Sequence, residues 1–300
     1  MDAPDGVRIT ERPKLKHPHM FCGISGWVDG GESATGSIQY LIEKLEARKF
    51  AEMSISKFSV FQVPGQNSVG PSIKIEEGIL KEHSFPHNEF FYWVNPNADS
   101  DLILFLGTEP NIDWDGYARA ILNVASEFEV TRMYLLGGIL DKTPHTREPN
   151  VTCTCSSYEI RDEMQKYGVQ FSNYEGPGSF GTTLVHMCQN EDFEATTITA
   201  RATYYPEFNI LIPHNPKSIR AVVKRINSLT RLNVDLSDLD RQAEEFEGKL
   251  GFMIGQNSEF RAYVENLENE YTEVNYEEPL DLSAHEAVKL AEELLRENER

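Results

Sequence analysis

Three times in its first half this chain runs an apolar, strand-like segment into glycines, and twice helical spacing follows. Met20, Phe21 and Cys22 lead into Gly23-Ile24-Ser25-Gly26-Trp27-Val28-Asp29-Gly30-Gly31, after which Ala34, Ile38, Leu41, Ile42 and Leu45 recur at helical intervals. The run 101–106 ends at Gly107-Thr108-Glu109-Pro110, and Tyr117, Ile121, Val124, Ala125 and Phe128 mark the helix expected over 114–128. A third run, 131–136, ends at Gly137-Gly138. Glycine permits positive φ and close backbone approach. Strand, glycine corner, helix and strand in alternation is the pattern of a parallel α/β sheet. A mostly parallel central sheet is therefore expected.

Further along, strands are expected over 54–62, 90–94, 151–155 and 196–204, and helices over 157–167, 179–189, 258–270 and from Pro216 onward. The tract 1–19, punctuated by Pro4, Pro13 and Pro18, reads as an irregular arm. Residues 20–236 read as the α/β domain, and 237–300 as an acidic helical region. Ser283 opens a last helical pattern with Ala287, Leu290, Ala291, Leu294 and Leu295 on one side, a stripe that needs a covering surface.

The formal charge is −20, and residues 238–300 hold 18 acidic against 6 basic residues, −12 of that total. Such a balance argues against nucleic acid or an anionic membrane as partner. No apolar run approaches the roughly 18 residues of a membrane span. With no signal-peptide pattern at 1–5 and four scattered cysteines, a cytoplasmic location is expected.

Ligands of open α/β folds gather at the carboxyl ends of the strands. The polar residues expected there are Gly26, Trp27 and Asp29; Gly107 and Glu109; His145, Thr146 and Arg147; and Tyr174 and Gly176 at a second glycine-rich corner. Arg147 and free helix-start N–H groups suit a phosphate or carboxylate, Trp27 a stacked ring, and His145 or a carboxylate a proton transfer. Each also has a plainer reading. Asp29 and Glu109 fit helix caps, Arg147 a surface ion pair, His145 a structural histidine and Trp27 a packing anchor. Neither the Walker nor the dinucleotide spacing is present, and no Gly-x-Ser-x-Gly elbow or metal-ligand spacing occurs. No cofactor or metal is expected, and whether the chain is an enzyme stays open.

In this order, Gly23 to Gly31, Leu106 to Pro110 with Trp114, Pro144 to Arg147 and Tyr174 to Pro177 resemble the motifs of the prokaryotic PAC2 family, which is related to proteasome assembly chaperone 2. Tyr204-Tyr205-Pro206 and Asn215-Pro216 are similar to a later motif of that family, although Gly30 and Ala202 to Tyr205 depart from its usual residues. The resemblance covers roughly 20–245. It implies a three-layer α/β/α domain of nucleoside-phosphorylase-like arrangement with a helical C-terminal extension, and a homo-oligomer, a trimer being the form considered. Two functions follow. One is a non-catalytic protein-binding or assembly factor; the other is an enzyme or sensor for an anionic nucleoside- or phosphate-like molecule held at the glycine corners.

Overall fold

The computed structural model describes residues 6–61, 70–208, 212–274 and 276. In chain order the strands are β1 (Val7–Ile9), β2 (His19–Ser25), β3 (Arg48–Met53), β4 (Ser72–Glu76), β5 (Ile79–Ser84), β6 (Glu89–Trp93), β7 (Leu102–Thr108), β8 (Arg132–Asp141), β9 (Val151–Cys153), β10 (Val169–Phe171) and β11 (Ala195–Thr203). The helices are α1 (Ser33–Lys44), α2 (Trp114–Glu127), α3 (Tyr158–Met164), α4 (Phe180–Asn190), α5 (Pro216–Thr230), α6 (Ser237–Gly255) and α7 (Ser258–Glu270). The acidic pattern at 283–299 lies outside the described residues.

Nine strands form one sheet in the order β1-β3-β6-β7-β2-β8-β11-β9-β10, and β4 and β5 pair as a separate hairpin. The expected mostly parallel, nucleoside-phosphorylase-like sheet is not what forms. Parallel pairing is confined to β7-β2-β8-β11 and to β9-β10. The junctions β1-β3, β3-β6, β6-β7 and β11-β9 are antiparallel, so half of the junctions in the nine-stranded sheet run against the expected direction, and the separate pair β4-β5 is antiparallel too.

The cause lies in the connections. Parallel neighbours need a crossover of about a dozen residues or more, usually helical. Between β6 and β7 the chain has only Val94 to Asp101, and between β3 and β6 it makes a hairpin rather than a helix. The strand expected over 54–62 is also displaced: the strand is Arg48–Met53, followed by a short 3-10 turn at Ile55–Lys57.

Helices cover both faces of the sheet. On one, Met20, Cys22, Ile103, Phe105 and Leu135 pack with Tyr117 and Ile121 of α2 and Phe180 and Leu184 of α4. On the other, Phe21, Leu104, Tyr134 and Ile198 pack with Ile38 and Leu41 of α1 and Val222 and Ile226 of α5. Successive residues of a strand point to opposite faces, so a strand covered on both sides reads as an unbroken apolar run. At Gly23 a Cβ would lie 2.5 Å from Ala34 O and 2.6 Å from Ile38. The missing side chain lets α1 lie directly on β2. A third, smaller core joins Tyr205 and Ile212 to Leu250, Ile254, Phe260 and Val264 of α6 and α7.

Candidate functional site

The ten residues singled out by sequence sort into a first group around the ends of β2 and β7 and the corner before α4, and a second in the loop after β8, with no hydrogen bond, ion pair or ring contact between the two among the described residues.

The first group stands where β2 and β7 end side by side, Ser25 opposite Thr108. Glu109 donates its amide to Ser25 O (2.8 Å). Its carboxylate accepts the amide of Trp27 (2.8 Å) and, more distantly, that of Phe180 at the start of α4 (3.4 Å). Gly26 has φ 149°, and a Cβ there would collide with the Glu109 carboxylate. Glycine is thus required both by backbone and by the acid seated against it. An anion already occupies the amides that could have received a phosphate: it is Glu109. Gly107 is buried, with the Phe105 ring and the Tyr117 hydroxyl 2.7 and 2.8 Å from where its Cβ would be.

Asp29 is committed to α1. Its Oδ1 accepts from the amides of Ala34 (2.8 Å) and Thr35 (3.1 Å), and its Oδ2 from Thr35 Oγ1 (2.6 Å). These are the orphan donors of a helix start. Burial pushes its carboxyl pKa up, against the lowering by the Thr35 and Ala34 hydrogen bonds. Two aromatics stand open here: Trp27 is 62% exposed and Tyr174, on the corner before α4, 70%. The Tyr174 hydroxyl donates to Pro177 O (3.2 Å) and lies 2.5 Å from where a Cβ of Gly176 would sit, so the corner before α4 is a closed turn.

The second group, after β8, buries only its histidine, Thr146 and Arg147 staying exposed. His145 is buried; Tyr205 Oη accepts its amide (2.8 Å) and pairs with its Nδ1 (2.9 Å). Burial lowers the pKa of this imidazole, favouring its neutral form. Its carbonyl accepts Lys217 Nζ (2.6 Å), which also pairs with Glu247 of α6 (2.8 Å). Thr146 Oγ1 donates to Glu268 of α7. Arg147 is exposed, its amide donating to Pro144 O (3.0 Å).

Tyr205 and Lys217 were not singled out from sequence as partners of this loop. Lys217 carried a signal: a lysine in the first turn of a helix sits at the wrong end of the dipole and needs a reason. That reason is the His145 carbonyl and the Glu247 carboxylate.

Other reactive groups are quiet. Cys22, Cys153 and Cys188 are buried, and burial raises all three thiols, Cys188 to about 12. No three His, Cys, Asp or Glu residues among those described could hold a metal. The two concavities described, about 340 Å³ beside Arg8, Ser54 and His87 and about 440 Å³ beside Lys224, Asp240 and Tyr276, include none of the ten residues.

The PAC2 family model matches residues 23–253. This chain belongs to the PAC2 family. A PAC2 family protein from Streptomyces avermitilis is similar in structure at 25% identity, with 82% of this chain and 99% of that one covered and a TM-score of 0.70. A proteasome-assembly chaperone homologue from Mycobacterium tuberculosis matches at 27% identity over the same shares, also with a TM-score of 0.70. An archaeal proteasome activator from Pyrococcus furiosus shares the fold, at 21% identity, 82% and 97% coverage and a TM-score of 0.62. No curated protein sequence matches. Like its relatives in the PAC2 family, then, the chain is related to proteasome-assembly chaperones, and no helix among its described residues is long and apolar enough to cross a membrane.

Proposed function

We propose that this PAC2 family chain is a non-catalytic, homo-oligomeric protein-binding or assembly factor of the cytoplasm, a trimer being the form to test, and that its partner docks on the rim carrying Trp27 and Tyr174. One observation carries the reading. The groups that would do chemistry are engaged in structural bonds, Glu109 on Trp27 and Phe180, Asp29 on α1 and His145 under Tyr205, while the two aromatics face solvent. Large aromatic side chains are the usual anchors of protein interfaces. The 27% identical relative named as a proteasome-assembly chaperone homologue supports the same class of function.

The test compares tagged full-length chain with the Trp27→Asp/Tyr174→Asp double variant. Light scattering should show a homo-oligomer in both, and a stoichiometric partner should co-purify with the first and be lost with the second. A monomer, or capture unchanged by the two charges, overturns the reading.

A further inference from the structure

Within one molecule neither face of the hairpin β4–β5 is buried, all of its strand residues being exposed. Its shape is nonetheless fixed. Glu77 and Gly78, the two residues of its turn, have φ 51° and 78°, the left-handed pair of a tight hairpin turn. At the other end the Ser72 and Ser84 hydroxyls share a hydrogen bond (2.6 Å). A two-stranded hairpin left to itself in water is marginal. One that holds its form needs a cover.

The register shows which face is to be covered. Ile73 lies opposite His83 and Ile75 opposite Leu80, with Lys81 as the extra residue of a bulge between the two pairs. These four side chains share one face, and Phe85, whose ring meets that of His83 at 4.9 Å, continues it. No Asp, Glu, Lys or Arg stands among them. The charges lie on the other face, where Lys74 pairs with Glu76 (3.0 Å) and Glu82 (3.6 Å), or at the margins, Lys81 in the bulge and Glu77 at the tip. Ile79, opposite Glu76, is the one apolar residue on the charged face. Such a division is that of an antiparallel sheet packed on one side and solvated on the other.

Ile73, Ile75 and Leu80 are each more than half exposed. At the base of the hairpin the Phe85 ring meets that of Phe61, and the Asn111 side chain ties down the N–H and C=O of Val60, bringing the partly exposed Val60 and Ile112 beside it. The exposed parts of Ile73, Ile75, Leu80, Phe85, Val60 and Ile112 amount to about three whole side chains, roughly 300 Å² of apolar surface. A patch of that size on a monomer is often functional. Since apolar atoms make up a little over half of an interface, two such patches correspond to roughly 1,100 Å², close to the about 1,200 Å² at which specific interfaces begin.

We propose that two copies of this chain meet hairpin to hairpin, with Ile73, Ile75 and Leu80 of one copy against the same face of the other. The inference rests on the homo-oligomer part of the function proposed above and names the contact that builds it. Charge points to a second copy. The chain carries −20 overall, so contacts between copies elsewhere tend to oppose acidic surfaces, whereas this face has no charge to oppose. An uncharged apolar face is complementary to itself, as an oligomer built around a symmetry axis requires. The hairpin also needs its cover at all times, and a second copy is the partner always present.

Light scattering over a dilution series should show the full-length native chain as an oligomer. Ile75→Lys/Leu80→Lys should dissociate at a concentration at least tenfold higher. Ile79→Lys, as exposed as Ile75 but on the charged face, should dissociate where the native chain does. Under mild oxidation Ile75→Cys should give a disulfide-linked dimer on a non-reducing gel, and Ile79→Cys should not. Amide exchange over 72–84 should be at least tenfold faster in the double lysine variant, with β2 and β8 unchanged. Equal cross-linking at positions 75 and 79 would overturn the proposal. So would loss of a co-purifying partner with the oligomer intact, which would assign the face to that partner. A native monomer overturns this contact and the homo-oligomer reading together. A native oligomer indifferent to the two lysines overturns the hairpin contact alone and leaves that reading standing.

Discussion

Two polar loops follow parallel strands in this protein, and they end in opposite environments. The corner after β2 keeps Trp27 in solvent and uses Glu109 to tie down two amides. In the loop after β8, His145 is covered and makes a buried network with Tyr205 and Lys217, while Thr146 and Arg147 stay exposed. In sequence the two look alike, each a strand running into small and polar residues. What separates them is a covering element. Polar groups under a cover must find partners, because an unmatched buried donor or acceptor is costly. Those at an open rim are free to meet another molecule.

Substitutions should separate the two regions by size of effect. Tyr205→Ala should be the most damaging, about 3–5 kcal/mol in urea unfolding, since it empties a fully buried aromatic site shared with Phe260 and Tyr263. A cost under about 1 kcal/mol would mean that the α6–α7 cover is not firmly seated.

Lys217→Met should cost about 1–3 kcal/mol by leaving the buried His145 carbonyl without its donor. Glu247→Gln should cost less, because that side chain is 42% exposed. At the open corner, Asp29→Ala should lose about 1–2 kcal/mol through the α1 amides alone. Helix content by circular dichroism and the unfolding midpoint would show whether the loss is confined to that cap.

Acid sharpens the contrast. His145 and His19 both have pKa values lowered by burial from 6.5, His19 to about 4. The unfolded chain therefore binds protons first as pH falls. Stability from both groups is complete above pH 6.5 and is lost as pH falls below it, for His19 down to about 4. The unfolding midpoint should drop over that window. His145→Gln should flatten part of the drop, and a Glu109→Gln rim variant should leave it unchanged. Smallest of all, Trp27→Ala should move stability by no more than about 0.5 kcal/mol while abolishing partner capture; a large stability loss would make Trp27 a packing residue instead.

Much of the architecture was legible from local pattern. Helix α7 and strands β6, β7 and β11 lie within a residue or two of where periodicity puts them, because each buries a face whose period is set by its own backbone geometry. The motif order also pointed to the PAC2 family, which the family model shows. Strand direction was misjudged at the β3–β6–β7 side. A run such as Phe90 to Val94 states that it is a strand and says nothing about its neighbour. The eight residues from Val94 to Asp101 were the available clue, too few for a crossover. The hairpin β4–β5 was missed because all eleven of its strand residues are exposed, leaving no buried face to impose a pattern.

Gly137 and Gly138, read as a third corner, lie inside β8, but the sequence by itself determined the glycine corners after β2 and β7, the helix that follows each, and the apolar runs of a sheet covered on both faces. These depend on φ preference and on side-chain period, which are properties of neighbouring residues. Only the tertiary structure decided that Glu109 fills the amides of the first corner while His145 is buried against elements far along the chain. Whether a polar residue stays open or is satisfied depends on what packs over it, and that contact has no local signature.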